Sequence, residues 1–286
     1  MNTAELLQPD AYESTDRLSK RNFDRLAHII QDYSGIRMPA SKTTMLEGRL
    51  RRRVRATGHA TLEDYCRYLF DHDGIEAEFL HLIDVVTTNK TDFFREPAHF
   101  AYMRENILPQ IAARGARGIR AWSSACSIGA EPYTLAMLLD EFAEQTGIDY
   151  RILATDLSTD VLATALKGIY SADMIDPVPR PLADKYVMRP QDPRDRRVRM
   201  SPRLRSRIGF ARFNLMSDTY RVGEPMDLIF CRNVLIYFDN ATQGKVLRKL
   251  ADCLAPGGHL FVGHSETVSG FNLPLKQVAG TILMKE

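Results

Sequence analysis

Ile119-Arg120-Ala121-Trp122-Ser123-Ser124-Ala125-Cys126-Ser127-Ile128-Gly129-Ala130-Glu131-Pro132 passes from an apolar run to small residues and one glycine. Glu131-Pro132 then opens a helical pattern that continues to Ala143. Proline suits a first helical turn, where its missing N–H leaves no bond unmade. Strand, tight turn and helix in that order make half of a βαβ unit. The other half follows. Tyr150 to Thr155 reads as a second strand ending in Asp156, and Ser158 is placed to cap a helix through about Leu166. Farther on, Met226–Cys231 is a short apolar run. Thr242 to Leu254 reads as a helix closed by Pro256-Gly257-Gly258, and His259 to Gly263 as a strand. Strands alternating with helices imply an α/β fold, a mostly parallel sheet with helices on both faces.

The alternation is interrupted between about 172 and 215, where Pro177, Pro179, Pro181, Pro190, Pro193 and Pro202 cluster. Two strand-like pieces there, Arg197 to Met200 and Arg207 to Phe213, suggest a small antiparallel β insert. Upstream, residues from about 16 to 86 read as helical. Phe23, Leu26, Ala27 and Ile30 recur at helical spacing, and Thr61 precedes Leu62-Glu63-Asp64 as an N-cap with acids in the first turn. The organisation expected is a small all-helical N-terminal domain over 1–86, a linker leading into the next domain over 87–117, and an α/β domain over 118–286.

A chain of 286 residues with 44% hydrophobic and 26% charged residues is expected to be globular, with a core that needs no staple. Cys66, Cys126, Cys231 and Cys253 are scattered without a CxxC pair, which predicts buried thiols rather than a disulfide framework or zinc site. The polar start MNTAELLQPDAYEST and the lack of an apolar run of about 20 residues predict a cytoplasmic protein with no membrane insertion. Formal net charge is only +2. The arginines fall into two clusters, one at Arg49, Arg51, Arg52, Arg53 and Arg55, the other running from Arg189 to Arg207. Local basic surfaces on a nearly neutral chain point to acidic partners rather than bulk nucleic-acid binding.

Ligands of open α/β sheets bind beyond the carboxyl ends of the strands. The loop 125–131 has a lone glycine and an acid at its helix start, so it is no pyrophosphate cradle. Glu131 would meet a cationic group such as an ammonium, or the loop is an ordinary tight turn. Asp156 stands where a carboxylate accepts bonds from two ribose hydroxyls, or serves as a strand-end acid. Asn233 and Tyr237 follow a buried-looking strand and offer polar groups at the same edge. The histidines form no HxH or HExxH pattern; no metal is assigned, and His264 is read as structural.

Five segments resemble the signatures of chemotaxis-receptor glutamate O-methyltransferases of the CheR type. They are Thr87-Thr88-Asn89-Lys90-Thr91-Asp92-Phe93-Phe94-Arg95-Glu96-Pro97, Cys126 to Tyr133, Ala154 to Ser158, Phe230 to Phe238, and Gly263-His264-Ser265-Glu266. They come in the family's order and span essentially the whole chain. The resemblance implies a class I, Rossmann-like methyltransferase domain, with S-adenosylmethionine as methyl donor and S-adenosylhomocysteine as product. It implies that Asn89, Thr91 and Arg95 cover the cofactor, with Arg95 near its carboxylate. Glu131 would hold the amino group, Asp156 the ribose, Asn214 and Leu215 the adenine, and Arg232 and Asn233 the methionine side. The implied substrates are glutamates in the cytoplasmic signalling domains of methyl-accepting chemotaxis receptors, and a monomer is expected.

A glutamate carboxylate has an ordinary pKa of about 4.3 and needs no general base. Arg95 and Tyr237 are the candidates to orient it. On a wheel of about 100° per residue, Leu46, Leu50 and Val54 form one stripe, Arg51, Arg52 and Arg55 oppose it, and Arg49 and Arg53 flank it. That helix is expected to dock acidic receptor helices through its arginines; a plain solvated face is the alternative. In related enzymes the β insert docks a receptor C-terminal tail by strand addition. The loop Arg189 to Arg197 lacks the glycines often found there, leaving recognition to the methylation helices alone or to a different acidic tail. A nucleic-acid methyltransferase is a rival reading, but Cys231-Arg232-Asn233-Val234 lacks the Asn/Asp-Pro-Pro-aromatic element of base-amino enzymes. A cofactor-binding regulator without turnover is the other.

Overall fold

The structure is a computed structural model that describes residues 16–87, 89–192 and 194–286. The polar amino-terminal stretch, Thr88 of the linker signature and Pro193 of the insert loop lie outside the described residues. The chain divides into two compact units. One comprises the described part of Met1–Tyr33 with Arg37–Val86, and the other Ser34–Ile36 with Thr87–Glu286.

The first unit is helical: α1 (Lys20–Ser34), α2 (Thr43–Ala56), α3 (Leu62–Asp71) and α4 (Ile75–Val86). Thr61 caps α3 as expected, its hydroxyl accepting from the Asp64 N–H at 3.1 Å. Phe23, Leu26 and Ile30 of α1 are buried, as are Leu46, Leu50 and Val54 of α2, so the apolar stripes face a core. Among the described residues of this unit two carboxylates are buried, and each is answered. Glu47 accepts from the Leu18 N–H and from Arg17, both at 2.9 Å. Glu78 takes a forked pair of bonds from Arg53 at 2.8 and 2.6 Å and a third from the Tyr65 hydroxyl at 2.9 Å. Burial pushes the Glu78 carboxyl up, but the Arg53 and Tyr65 bonds outweigh it and hold it below the ordinary range.

The second unit opens with two short helices, α5 (Pro97–Tyr102) and α6 (Leu108–Ala113). Its strands are β1 (Gly118–Ser123), β2 (Asp149–Asp156), β3 (Ile169–Ser171), β4 (Val187–Met188), β5 (Arg197–Met200), β6 (Ile208–Arg212), β7 (Met226–Cys231), β8 (Leu254–Val262), β9 (Leu275–Ala279) and β10 (Ile282–Lys285). Five further helices intervene: α7 (Ala130–Thr146), α8 (Thr159–Lys167), α9 (Arg180–Tyr186), α10 (Pro202–Arg205) and α11 (Asn240–Asp252). Seven strands form one sheet in the order β6-β2-β1-β7-β8-β10-β9. The first five run parallel, and β10 and β9 close the edge antiparallel. Strand order reverses between β1 and β7, the switch point where such sheets bind ligands.

The sheet is buried on both faces, because successive side chains point to opposite sides. Ile119, Ala121, Leu228 and Phe230 join Leu135 and Leu139 of α7 in one core. Trp122, Ile229, Cys231 and Leu260 join Leu247 and Leu250 of α11 in the other. A Rossmann-like α/β domain and a helical domain are thus both present. The four cysteines are free thiols, Cys66, Cys126 and Cys231 buried and Cys253 half-buried.

The β insert differs from the sequence expectation in extent. A separate antiparallel sheet, β3-β5-β4, does contain Arg197–Met200. The second strand-like piece does not belong to it: β6 pairs parallel with β2 and forms an edge of the main sheet. Short apolar runs carry no mark of which sheet they join. The insert is tied to α7 through Asp140, buried yet bonded to the Tyr186 hydroxyl at 2.7 Å and Arg203 Nε at 2.8 Å. Pro256-Gly257-Gly258 does not close a helix either. It lies inside β8, where the register against β7 shifts. Gly257 has φ 72°, and a Cβ on Gly258 would come within 2.8 Å of the Met226 carbonyl, so both glycines serve a bulge. Helix α11 begins earlier than expected, capped by Asp239 bonding the Thr242 N–H at 2.7 Å.

Candidate active site

The loop from β1 to α7 is fixed by backbone bonds to both neighbouring strands. The Ser124 N–H donates to the Phe230 carbonyl at 2.9 Å and the Cys126 N–H to the Thr155 carbonyl at 2.8 Å. Gly129 is the N-cap of α7 with φ 95°, and a Cβ there would meet Ala165 and the Tyr170 hydroxyl at 2.9 Å. Glycine is required by that closeness and that angle together. Glu131 then stands in the first turn of α7, where its Oε1 accepts from the Ser123 hydroxyl at 2.7 Å.

Asp156 ends β2, and backbone donors engage both its carboxylate oxygens. The Ser127 N–H donates to Oδ2 at 2.8 Å and the Ser158 N–H to Oδ1 at 3.0 Å. The Ser127 hydroxyl donates in turn to the Asn89 carbonyl at 3.0 Å, which draws the linker onto the strand ends.

Arg232 follows β7 and is deeply buried, its side chain only 2% exposed. It donates through Nη2 to the Arg95 carbonyl. Its Nε lies 3.5 Å from Glu131 and 3.6 Å from Glu96, and Nε and Nη1 have no hydrogen-bond partner among the described residues. Burial raises the Glu131 carboxyl above the ordinary carboxylate range, with Arg232 and the Ser123 bond opposing. A mostly covered acid beside a buried guanidinium with unfilled donors fits the amino-acid end of S-adenosylmethionine. The acid matches its ammonium and the guanidinium its carboxylate.

One cleft gathers the sequence-predicted residues. Asn89, Thr91, Arg95, Glu131, Asp156, Asn214, Leu215, Arg232, Asn233 and Tyr237 all line it. Apolar walls come from Phe100, Phe213 and Phe238. Asn214 uses its Oδ1 on the Met216 N–H at 2.9 Å, shaping the turn after β6. Arg95 donates to the Lys90 carbonyl at 3.0 Å.

The sequence reading missed the residues that hold this rim. Glu266 is buried and accepts from three backbone N–H groups: Asn233 at 3.0 Å, Leu235 at 2.7 Å and Gly263 at 2.5 Å. Glu96 Oε1 accepts from Asn233 Nδ2 at 3.1 Å and from the His264 N–H at 3.3 Å. Phe94, Glu96, Ser127 and Asn233 all have positive φ, between 51° and 58°, on the segments that form the cleft. Such backbone costs about 1–3 kcal/mol per residue and persists where surrounding bonds impose it. The only signal in the sequence was the bare fact of an acid in Arg-Glu-Pro and in His-Ser-Glu.

The five arginines of α2 do not share one situation. Arg53 is held by Glu78, Arg49 donates to the Val86 carbonyl at 2.7 Å, and Arg51 donates to the Asp16 carbonyl at 2.7 Å. Arg52 and Arg55 are exposed, and no described residue bonds their guanidinium groups. In the second cluster, Arg194 pairs with Asp192, Arg197 with Asp195, Arg196 with Asp173 and Arg207 with Asp149. That stretch is therefore largely self-neutralised rather than a free basic surface.

Comparison with known proteins agrees with this geometry. Residues 89–284 match the family described as CheR methyltransferase, SAM binding domain, and residues 21–87 match CheR methyltransferase, all-alpha domain. A chemotaxis protein methyltransferase of Salmonella typhimurium is 38% identical over 254 residues, covering 88% of this chain and 85% of that one. One from Borreliella burgdorferi is 36% identical over 259 residues, covering 88% and 90%. One from Escherichia coli is 36% identical over 261 residues, covering 90% and 88%. Among the described residues no helix is long and apolar enough to cross a membrane. With both domains matched and the cleft assembled, this chain belongs to the CheR methyltransferase family and is an S-adenosylmethionine-dependent methyltransferase of chemotaxis.

Proposed function

We propose that this chain methylates glutamate side chains in the cytoplasmic signalling domains of chemoreceptors, forming glutamate methyl esters and S-adenosylhomocysteine. The observation that carries the reading is that Arg95 and Tyr237 open on the same cleft as Glu131 and Asp156. When bound, S-adenosylmethionine supplies a methyl group already activated on a sulfonium. The acceptor carboxylate is ionised at neutral pH, with an ordinary pKa of about 4.3, so no residue has to remove a proton. The protein's task is to orient and to exclude water, and positioning alone supplies roughly 7–11 kcal/mol. Arg95 has donors to spare beyond its bond to Lys90, and Tyr237 offers one hydroxyl. Donors of moderate strength suit the task, because a tight ion pair would stabilise the reactant more than the transition state.

Receptor docking falls to the exposed arginines of α2. Arg52 and Arg55 face acidic receptor helices, while Arg49, Arg51 and Arg53 hold their own unit together. The insert loop, with Arg194 and Arg197 each answered by an aspartate two residues earlier, has little charge left for an acidic tail. Recognition therefore centres on the methylation helices, and the site of action is the cytoplasm.

The test is transfer of a labelled methyl group to chemoreceptor signalling domains, followed by mild alkali. Alkali-labile label on the receptor is the expected result. Alkali-stable label, or none while cofactor still binds, overturns the glutamate assignment.

A further inference from the structure

Beside the cleft, three side chains converge without a shared partner. Glu96 and His99 sit three positions apart at the start of α5, and His264 follows β8. Glu96 Oε2 lies 3.5 Å from His99 Nδ1 and 3.9 Å from His264 Nε2, and one ligand atom of each residue falls within 4.8 Å of the other two. The imidazole rings stand nearly perpendicular, at 76°, with centroids 4.9 Å apart.

The His99 side chain is only 4% exposed. Its Nε2 is engaged with the Thr281 hydroxyl at 2.8 Å, while its Nδ1 and the facing Glu96 Oε2 are both buried without a hydrogen-bond partner among the described residues. Two buried polar atoms aimed at one another and left unsatisfied are rare in folded proteins. A ring nitrogen anchored by a hydroxyl while the other is left to bind is the arrangement that orients metal-bound histidines.

We propose that Glu96, His99 and His264 form a binding site for a divalent transition metal, with zinc as the ion that fits. Two imidazoles and one carboxylate are a zinc ligand set, and bonds of about 2.0–2.2 Å place tetrahedral ligands roughly 3.3 Å apart. The observed separations need only small side-chain rotations to reach that, and His264, 54% exposed, is free to make them. The fourth position opens to solvent on the His264 side. Arg232 Nε stands 3.6 Å from the same Glu96 oxygen, beyond hydrogen-bond reach, and shares its charge with Glu131. Two imidazoles beside a single carboxylate disfavour magnesium and calcium, which need several oxygen ligands, and leave the nitrogen-loving ions. The methyl transfer needs no metal. The ion would fix Glu96, whose other oxygen holds Asn233, and so stiffen the rim of the cleft.

The site is independent of which acceptor the enzyme methylates, and its test needs no turnover. The untagged full chain, stripped with chelator, is titrated with Co2+ while ligand-field absorption is followed, and then with Zn2+. One equivalent of tetrahedral Co2+, displaced by Zn2+, is expected. His264→Ala should lose at least tenfold in affinity, and Glu96→Gln likewise. His264 is exposed, so its variant should fold; circular dichroism checks this. Zn2+ should raise the thermal midpoint of the wild type and leave that of His264→Ala unmoved. Wild-type protein that gives no tetrahedral Co2+ spectrum, or that binds Zn2+ no tighter than His264→Ala, overturns the proposal.

Discussion

Glu131 is set to couple cofactor binding to pH. Burial lifts its carboxyl above the ordinary range, and an ammonium ligand needs it ionised. Affinity is therefore full above the raised pKa and declines as pH falls through it, sooner than for an ordinary carboxylate. Glu131→Gln should weaken S-adenosylmethionine binding roughly 10- to 100-fold, the worth of a hydrogen bond to a charged group, and flatten this pH dependence. Calorimetry across a pH series reads both effects, and an unchanged slope in the variant removes Glu131 from the role. Tyr237→Phe should lower kcat by about tenfold, a value in keeping with one lost hydrogen bond, while leaving cofactor affinity near wild type. Equal turnover by the two proteins would mean the hydroxyl does nothing. Glu131 and Asp156 were legible as chemistry because strand ends in an α/β pattern say where a ligand lies. Asn214 and Leu215 were placed at the cleft only by resemblance, since nothing in Phe213-Asn214-Leu215 distinguishes a cleft-lining residue from a strand end. Glu96 and Glu266 were opaque because most of their partners lie far away along the chain.

At the level of elements, α2 divides its arginines between structure and exposure. Arg53→Ala leaves the buried Glu78 carboxylate without its cation and with only the Tyr65 hydroxyl bonded to it, which should cost the helical unit about 3–5 kcal/mol. Arg52→Glu with Arg55→Glu should leave stability within about 0.5 kcal/mol, as surface changes usually do, yet impair receptor methylation. Chemical denaturation and methyl-transfer assays on the same variants separate the two. Unchanged receptor turnover in the double variant would rule out docking through α2. Helical periodicity revealed the stripe of Leu46, Leu50 and Val54 and the arginines around it. It did not reveal Glu78 or Asp16, because a pairing partner on another segment leaves no trace in the spacing of the first. The same blindness explains β6 and β8. A short run such as Ile208–Arg212 looks alike in an insert or a sheet edge, and Pro-Gly-Gly inside a strand looks like a stop until the bulge is seen.

For the molecule as a whole, His259 predicts a loss of stability in acid. It is buried in β8, its Nδ1 lacks a described partner, and burial, helped by Arg114, holds its pKa down from 6.5 to about 4. Between those values the unfolded chain takes up a proton that the native fold refuses. Stability is intact above about pH 6.5, falls as pH drops toward 4 and levels off below. The contribution is at most about 3 kcal/mol. Denaturation curves at neutral pH and near pH 4 should show His259→Gln losing less than wild type over that interval; equal losses would exclude His259 as the cause.

The walls of the cleft come from segments scattered over the chain: Ser34 and Ile36, Asn89 to Arg95, Ser124 to Glu131, Asp156-Leu157, Phe213 to Leu215, and Arg232 to Phe238. A molecule seated there touches stretches spread from residue 34 to residue 238 at once. Its arrival acts on the chain much as a reversible crosslink does. Amide hydrogens in all six stretches should slow their exchange together, although no two of the stretches adjoin in sequence.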